Sequence, residues 1–220
     1  MTRPFRSSES DDDPHQGQTI EPAGAPPQAA DTAVIMVHGR GATARSFLPL
    51  MDAFLHHGVL YLAPQAARNT WYPRSGYAPI EANEPWFSSA LARVEAALEM
   101  ATTADIPAER VVLLGFSQGA GIVSEFVARN PRRYGGVVAL SGSLLGSETS
   151  HAYDGTIDDT PVFVGCGSND PHVPAERIHE TASVFAELGG DVTVELYDGL
   201  GHEISDDEIQ MVNTFVEELD

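Results

Sequence analysis

A serine, an aspartate and a histidine fall in this chain where each could serve the others. Ser117 stands in Gly115-Phe116-Ser117-Gln118-Gly119-Ala120-Gly121, directly after the apolar run 111–114. A strand that breaks into G-x-S-x-G and continues as a helix is the sequence form of a nucleophile elbow. Crowding explains the glycines: a strand turning at once into a helix leaves no room for side chains at Gly115 and Gly119 and strains the serine's backbone. Small residues would also suit close helix–sheet packing, so the elbow needs partners to carry meaning. A serine hydroxyl requires a base for its proton and donors for the charge that develops on an attacked carbonyl. His202, in Gly201-His202-Glu203, falls between the last predicted strand and the last predicted helix. Asp170, in Gly165-Cys166-Gly167-Ser168-Asn169-Asp170-Pro171, follows another predicted strand. The chemistry this trio offers is acyl transfer, with Ser117 attacking, His202 taking its proton and Asp170 orienting the imidazole.

The developing oxyanion needs two backbone donors, one of them the amide that follows the nucleophile, here Gln118. The other is expected from Val37-His38-Gly39-Arg40-Gly41, a glycine-bearing loop after an early strand, which makes the Arg40 amide the candidate. This segment also satisfies G-x-G-x-x-A through Gly39, Gly41 and Ala44, the opening of a dinucleotide-binding fold. That fold would next require an acidic residue closing the second strand, yet Leu62 is followed by Ala63-Pro64-Gln65. Among rival groups, Asp198 lies four residues before His202 and reads as a turn residue, and Glu203 adjoins the histidine. His172 could line the site, whereas His56, His57, His151 and His179 suit solvated positions and His15 belongs to the N-terminal tail. No metal-binding pattern of histidines or cysteines is present, and neither a metal nor a cofactor is expected.

Short apolar runs at 33–37, 59–62, 111–114, 136–140, 161–164 and 192–196 do not alternate, as expected of strands buried on both faces. Amphipathic helical stretches lie at 44–56, 85–101, 119–129, 174–188 and 206–219. The alternation predicts an α/β fold, a mostly parallel central sheet with helices on both faces and ligands at the carboxyl ends of its strands. Residues 1–16 read as a disordered acidic tail ahead of one domain over 17–220, with an edge strand near 19–21. The connection 64–85 runs on into Trp86 and Phe87 and gathers both tryptophans with Tyr72 and Tyr77, predicting a wall or lid over an apolar pocket.

The 220 residues carry 32 acidic and 12 basic side chains, all of the latter arginine, for a net charge of -20. Such a surface disfavours nucleic acid and anionic membranes as partners. Its self-repulsion would be screened by salt, which points to a halophilic cytoplasm. Cys166 is the only cysteine, so no intrachain disulfide can form, and the polar N-terminus has no signal-peptide core. A soluble cytoplasmic monomer or homodimer acting on a small molecule is expected.

The segments Val37-His38-Gly39-Arg40-Gly41, Gly115-Phe116-Ser117-Gln118-Gly119-Ala120, Asp170-Pro171-His172-Val173-Pro174 and Gly201-His202 resemble the phospholipase/carboxylesterase family of α/β-hydrolases, which includes acyl-protein thioesterases. The likeness runs from about residue 31 to the C-terminus. It implies an α/β-hydrolase fold, a Ser117, Asp170, His202 triad, and Arg40 and Gln118 as oxyanion donors. Trp71 and Tyr72 resemble an aromatic element of the family's substrate loop, and with His38 and Phe116 they are expected to contact substrate. Where acyl-protein thioesterases usually carry HG-L-G-D, this chain has His38-Gly39-Arg40-Gly41-Ala42, which places a cation beside the site. It thereby resembles the small carboxylesterases and hydroquinone-associated hydrolases of the family. The implied activity is hydrolysis of small or medium acyl esters without a cofactor. Acyl thioester or lysophospholipid hydrolysis is one alternative, and a non-catalytic binding module on the same fold is another.

Overall fold

The computed structural model describes residues 13–147 and 153–219. Seven strands form one sheet in the order β1-β3-β2-β4-β5-β6-β7. They are β1 (Ile20–Gly24), β2 (Thr32–Val37), β3 (Val59–Pro64), β4 (Val111–Phe116), β5 (Gly136–Leu140), β6 (Pro161–Gly167) and β7 (Asp191–Tyr197). Only β1 runs antiparallel, against β3; every other pairing is parallel. Every residue of β2, β3 and β5 is buried, which is why their apolar runs do not alternate.

Helices α1 (Ala44–Phe47), α2 (Trp86–Thr103), α3 (Gln118–Arg129), α4 (Ala175–Glu187) and α5 (Asp206–Glu217) cover the two faces. Ala33, Ile35 and Val37 of β2 pack with Phe87 of α2, Phe126 of α3 and Ile178 of α4. Val34 and Met36 turn the other way, toward Ala44 of α1 and Val212 and Phe215 of α5. No helix among the described residues is long and apolar enough to cross a membrane.

Three local expectations change. The helix predicted over 44–56 is α-helical only to Phe47 and continues as a 3-10 helix over Leu48–Phe54, because Pro49 has no amide hydrogen to donate and its ring crowds the preceding turn. Strand β7, read as buried on both faces, is the sheet's edge: Asp191, Thr193 and Glu195 are exposed and alternate with half-buried Val192, Val194 and Leu196. At the N-terminus, residues 1–12 lie outside the described residues, but 13–16 are folded as a turn and His15 is wholly buried.

Candidate active site

β4 and β2 are neighbours at the centre of the sheet, where the chain's winding reverses, and the loops at their carboxyl ends diverge to leave a crevice. Ser117 stands at the end of β4 with φ 55° and ψ -119°, a sparsely populated conformation for a residue with a side chain. Close approach fixes its flanks. A Cβ on Gly119 would lie 2.0 Å from the Val37 carbonyl oxygen, and one on Gly115 would lie 2.4 Å from the Gly119 oxygen. The elbow therefore packs backbone against backbone, and a larger residue at Gly115 would push the start of α3 away from β4, while one at Gly119 would push it away from the end of β2.

His202 reaches this point from the loop after β7, and Asp170 from the loop after β6. The imidazole Nε2 is 2.9 Å from the Ser117 Oγ and Nδ1 is 2.7 Å from the Asp170 Oδ2. Burial, the largest influence on the Asp170 carboxyl, would raise its pKa, but hydrogen bonds from His202 and the amides of His172 and Val173 outweigh it and hold the group below its usual range. An ionised Asp170 can only accept, so Nδ1 carries the proton and Nε2 is left to accept from the Ser117 hydroxyl. The rings of Phe116 and His172 lie against His202, with centroids 5.0 Å and 4.8 Å from its own. Three residues beyond His202, Ser205 and Glu208 form a reciprocal cap that fixes the start of α5. Asp198 instead meets Ser168, at 3.4 Å.

Gln118 opens α3, so its amide has no acceptor within the helix and is available to the crevice. Its side chain ties the elbow to the loop after β3: Oε1 accepts from the Trp71 amide and the Thr70 hydroxyl, while Nε2 donates to the Tyr72 carbonyl. Arg40 lies in the loop after β2, and its guanidinium donates to the carbonyls of Tyr72 (2.8 Å) and Arg74 (3.1 Å). Both candidate oxyanion donors are thus braced by the same loop.

Of the four residues expected to touch substrate, Tyr72 lines the cavity beside Ser117 and the other three do not. Trp71 is fully buried and its indole donates to the His38 carbonyl at 2.7 Å, so it supports the Arg40 loop from beneath. His38 is buried too. Its Nδ1 donates to the Gly39 carbonyl (2.8 Å) and its Nε2 accepts from the Ala66 amide (3.2 Å), an arrangement available only to the neutral ring, whose pKa burial lowers. Phe116 backs His202. Aromatic residues in a connection are as able to fill space under it as to face a ligand, and periodicity does not separate the two.

The cavity has a volume of about 400 Å³. Its lining is mixed where the sequence predicts an apolar one: Tyr72, Tyr77, Leu144 and Val173 share it with Arg40, Arg74, Ser75, Ser143 and His172. Ser141 lies on its floor at φ 48°. Tyr77 spans its rim, donating its hydroxyl to the His172 carbonyl. Cys166, behind Asp170, is buried, and its thiol is pushed up to about 12 by burial and by the carboxylate.

His15, read as part of a tail, is the largest surprise. Its Nε2 donates to the Trp71 carbonyl (3.0 Å) and its Nδ1 accepts from the Ala67 amide (3.0 Å), while its own amide donates to Ser89. Its ring meets those of Trp71 and Trp86 edge-on. No local pattern announces this role, since its partners lie 52 to 74 residues away. Of the other histidines, His56 bonds Asn213 and His57 and His179 are exposed; His151 lies outside the described residues.

The sequence profile of the family described as Phospholipase/Carboxylesterase matches residues 18–219. Acyl-protein thioesterase 1 of Candida albicans is 28% identical over 215 residues, spanning 87% of this chain and 93% of that protein. The phospholipase/carboxylesterase crystal structure from Dyadobacter fermentans superimposes with a TM-score of 0.87 at 40% identity, covering 91% of this chain and 97% of that one. SOBER1 of Arabidopsis thaliana, at 22% identity and a TM-score of 0.72 over 86% of this chain and 98% of its own, shares the fold. A central parallel sheet, an elbow at its middle strand and a sequence match over nearly its whole length agree: the chain belongs to the phospholipase/carboxylesterase family of α/β-hydrolases.

Proposed function

We propose that the protein is a serine hydrolase that cleaves small or medium acyl esters through an acyl-enzyme. The observation that carries this reading is the unbroken relay from Ser117 Oγ to His202 Nε2 and from His202 Nδ1 to Asp170. Ser117 Oγ bonds to the substrate's carbonyl carbon as its proton passes to His202 Nε2. The carbonyl electrons move onto oxygen, where the amides of Arg40 and Gln118 receive the charge. As they return, the bond to the alcohol breaks and the leaving oxygen takes the proton from Nε2. Water then repeats the sequence on the acyl-enzyme: Nε2 takes its proton, the acid is released, and Ser117 Oγ recovers a hydrogen.

The same chemistry would cleave a thioester, and the likeness to proteins named acyl-protein thioesterase 1 favours keeping that substrate as a second reading. Matched oxyester and thioester pairs of graded acyl length separate the two. The primary test is labelling by a fluorophosphonate, which requires an activated serine. Wild-type protein should label and hydrolyse p-nitrophenyl acetate, and Ser117→Ala should do neither, with kcat lower by about 10⁴-fold or more. Absence of labelling in folded wild-type protein would favour the binding-module reading instead.

A further inference from the structure

The lining of the cavity departs from the charge balance of the molecule: it holds two cations, and the carboxylate nearest to it, Asp170, lies behind His202 and is bonded to it. The chain as a whole carries -20, yet the residues lining the cavity include Arg40 and Arg74 and no aspartate or glutamate. Among the described residues neither arginine forms an ion pair; the three arginines that do are Arg45, Arg129 and Arg177. The Arg40 guanidinium is held by the carbonyls of Tyr72 and Arg74, which orient it but do not neutralise it. At Arg74 the backbone is anchored, its amide donating to Asn83 Oδ1 at 2.8 Å, while its guanidinium makes no hydrogen bond among the described residues. Hydroxyls of Ser75, Ser143 and Tyr77 fill out the same wall. Arg40 is tied into its loop by these carbonyls, whereas Arg74 is exposed at the cavity and its guanidinium is free to meet a ligand.

We infer that the preferred substrate carries a negative charge, a carboxylate or phosphate, in the part of the molecule that lies against Arg40 and Arg74. A guanidinium fork matches either group with paired N–H donors. The acidic exterior opposes the approach of an anion, but at 0.15 M salt that field is screened beyond about 8 Å, whereas the two cations lie on the cavity wall itself. A cleft of one sign with low-dielectric walls concentrates its field, so a local pair outweighs a distant majority. A half-ester of a dicarboxylic acid meets these requirements, placing its neutral carbonyl at Ser117 and its free carboxylate at the arginines.

This inference rests on the proposed esterase reading, and the test separates the two. Monomethyl glutarate and methyl pentanoate have acyl chains of equal carbon number and differ in the terminal charge. Initial rates are followed by titration of released acid at constant pH and ionic strength. Wild-type protein should favour monomethyl glutarate in kcat/KM by about tenfold. Arg74→Gln should shrink that ratio at least about threefold and Arg74→Lys should restore most of it, because the charge returns without the fork. Glutarate and inorganic phosphate, tested as competitive inhibitors, distinguish the two anions by which binds more tightly, and failure of both to compete overturns the inference. It is also overturned if wild-type protein labels with fluorophosphonate and cleaves methyl pentanoate at least as fast as the half-ester, or if Arg74→Gln keeps the wild-type ratio. Protein that neither labels nor cleaves either ester overturns the esterase reading itself.

Discussion

At Asp170 two influences oppose each other: burial favours the neutral acid, and N–H donors from His202, His172 and Val173 favour the carboxylate. The carboxylate prevails. Because the folded pKa is depressed, ionised Asp170 contributes stability above its ordinary value of 3.8, and that contribution is lost only as pH falls through the lower folded value. The residue is therefore a fixed anion throughout the neutral range, and its service is to hold the Nδ1 proton. Asp170→Asn should lower kcat by about 10⁴-fold, since an amide permits the wrong tautomer, and should also lower the melting temperature, because the carboxylate's stabilising contribution is lost. Asp198→Asn should keep near wild-type kcat. Steady-state kinetics on both variants checks this, and a comparable loss at Asp198 would reassign the acid. The choice between these aspartates was readable in the sequence because Asp170 follows a strand end, where a side chain can turn to a neighbouring loop. The support of His202 by Phe116 and His172 was not, because ring contacts depend on how two loops cross.

Among the elements, the N-terminal turn at 13–16 has the least obvious origin and bears on the loop that braces both oxyanion candidates. His15→Ala would leave the Ala67 amide and the Trp71 carbonyl buried and unpaired, for an expected loss of about 2–4 kcal/mol. Burial is the main cause of the lowered His15 pKa, partly offset by the Trp71 carbonyl and the Asp13 charge. A histidine held neutral in the folded state contributes stability above its ordinary pKa of 6.5 and loses it as pH falls below that value. Melting curves between pH 8 and 5 should therefore decline less steeply for His15→Gln than for the wild type. Strands β2 to β6 and helices α2 to α5 were legible from apolar runs and their spacing, because each buries a continuous face. The edge position of β7 was not, since Val192, Val194 and Leu196 read alike whether one face or two is covered. Trp71 was misjudged for a related reason: its type is visible in the sequence, but the direction it faces is set by the His38 carbonyl, in another loop.

For the molecule as a whole, 32 acidic residues against 12 basic ones leave a repulsive surface that folding must bring together. Salt that screens the repulsion should stabilise the fold, and the melting temperature should rise by about 5 °C or more between dilute buffer and 2 M KCl. Equal values in the two solutions would remove the argument for a saline setting. The same salt should weaken any preference for anionic esters while leaving neutral esters less affected, so stability and selectivity would be tuned in opposite directions by one variable. The turn that carries His15 lies outside residues 18–219, the stretch shared with the family. The unit that homology outlines is consequently smaller than the unit that packs. A recombinant version begun at residue 18, or a fusion joined there, would keep every atom of the triad and still lack the peg beneath the loop that steadies it.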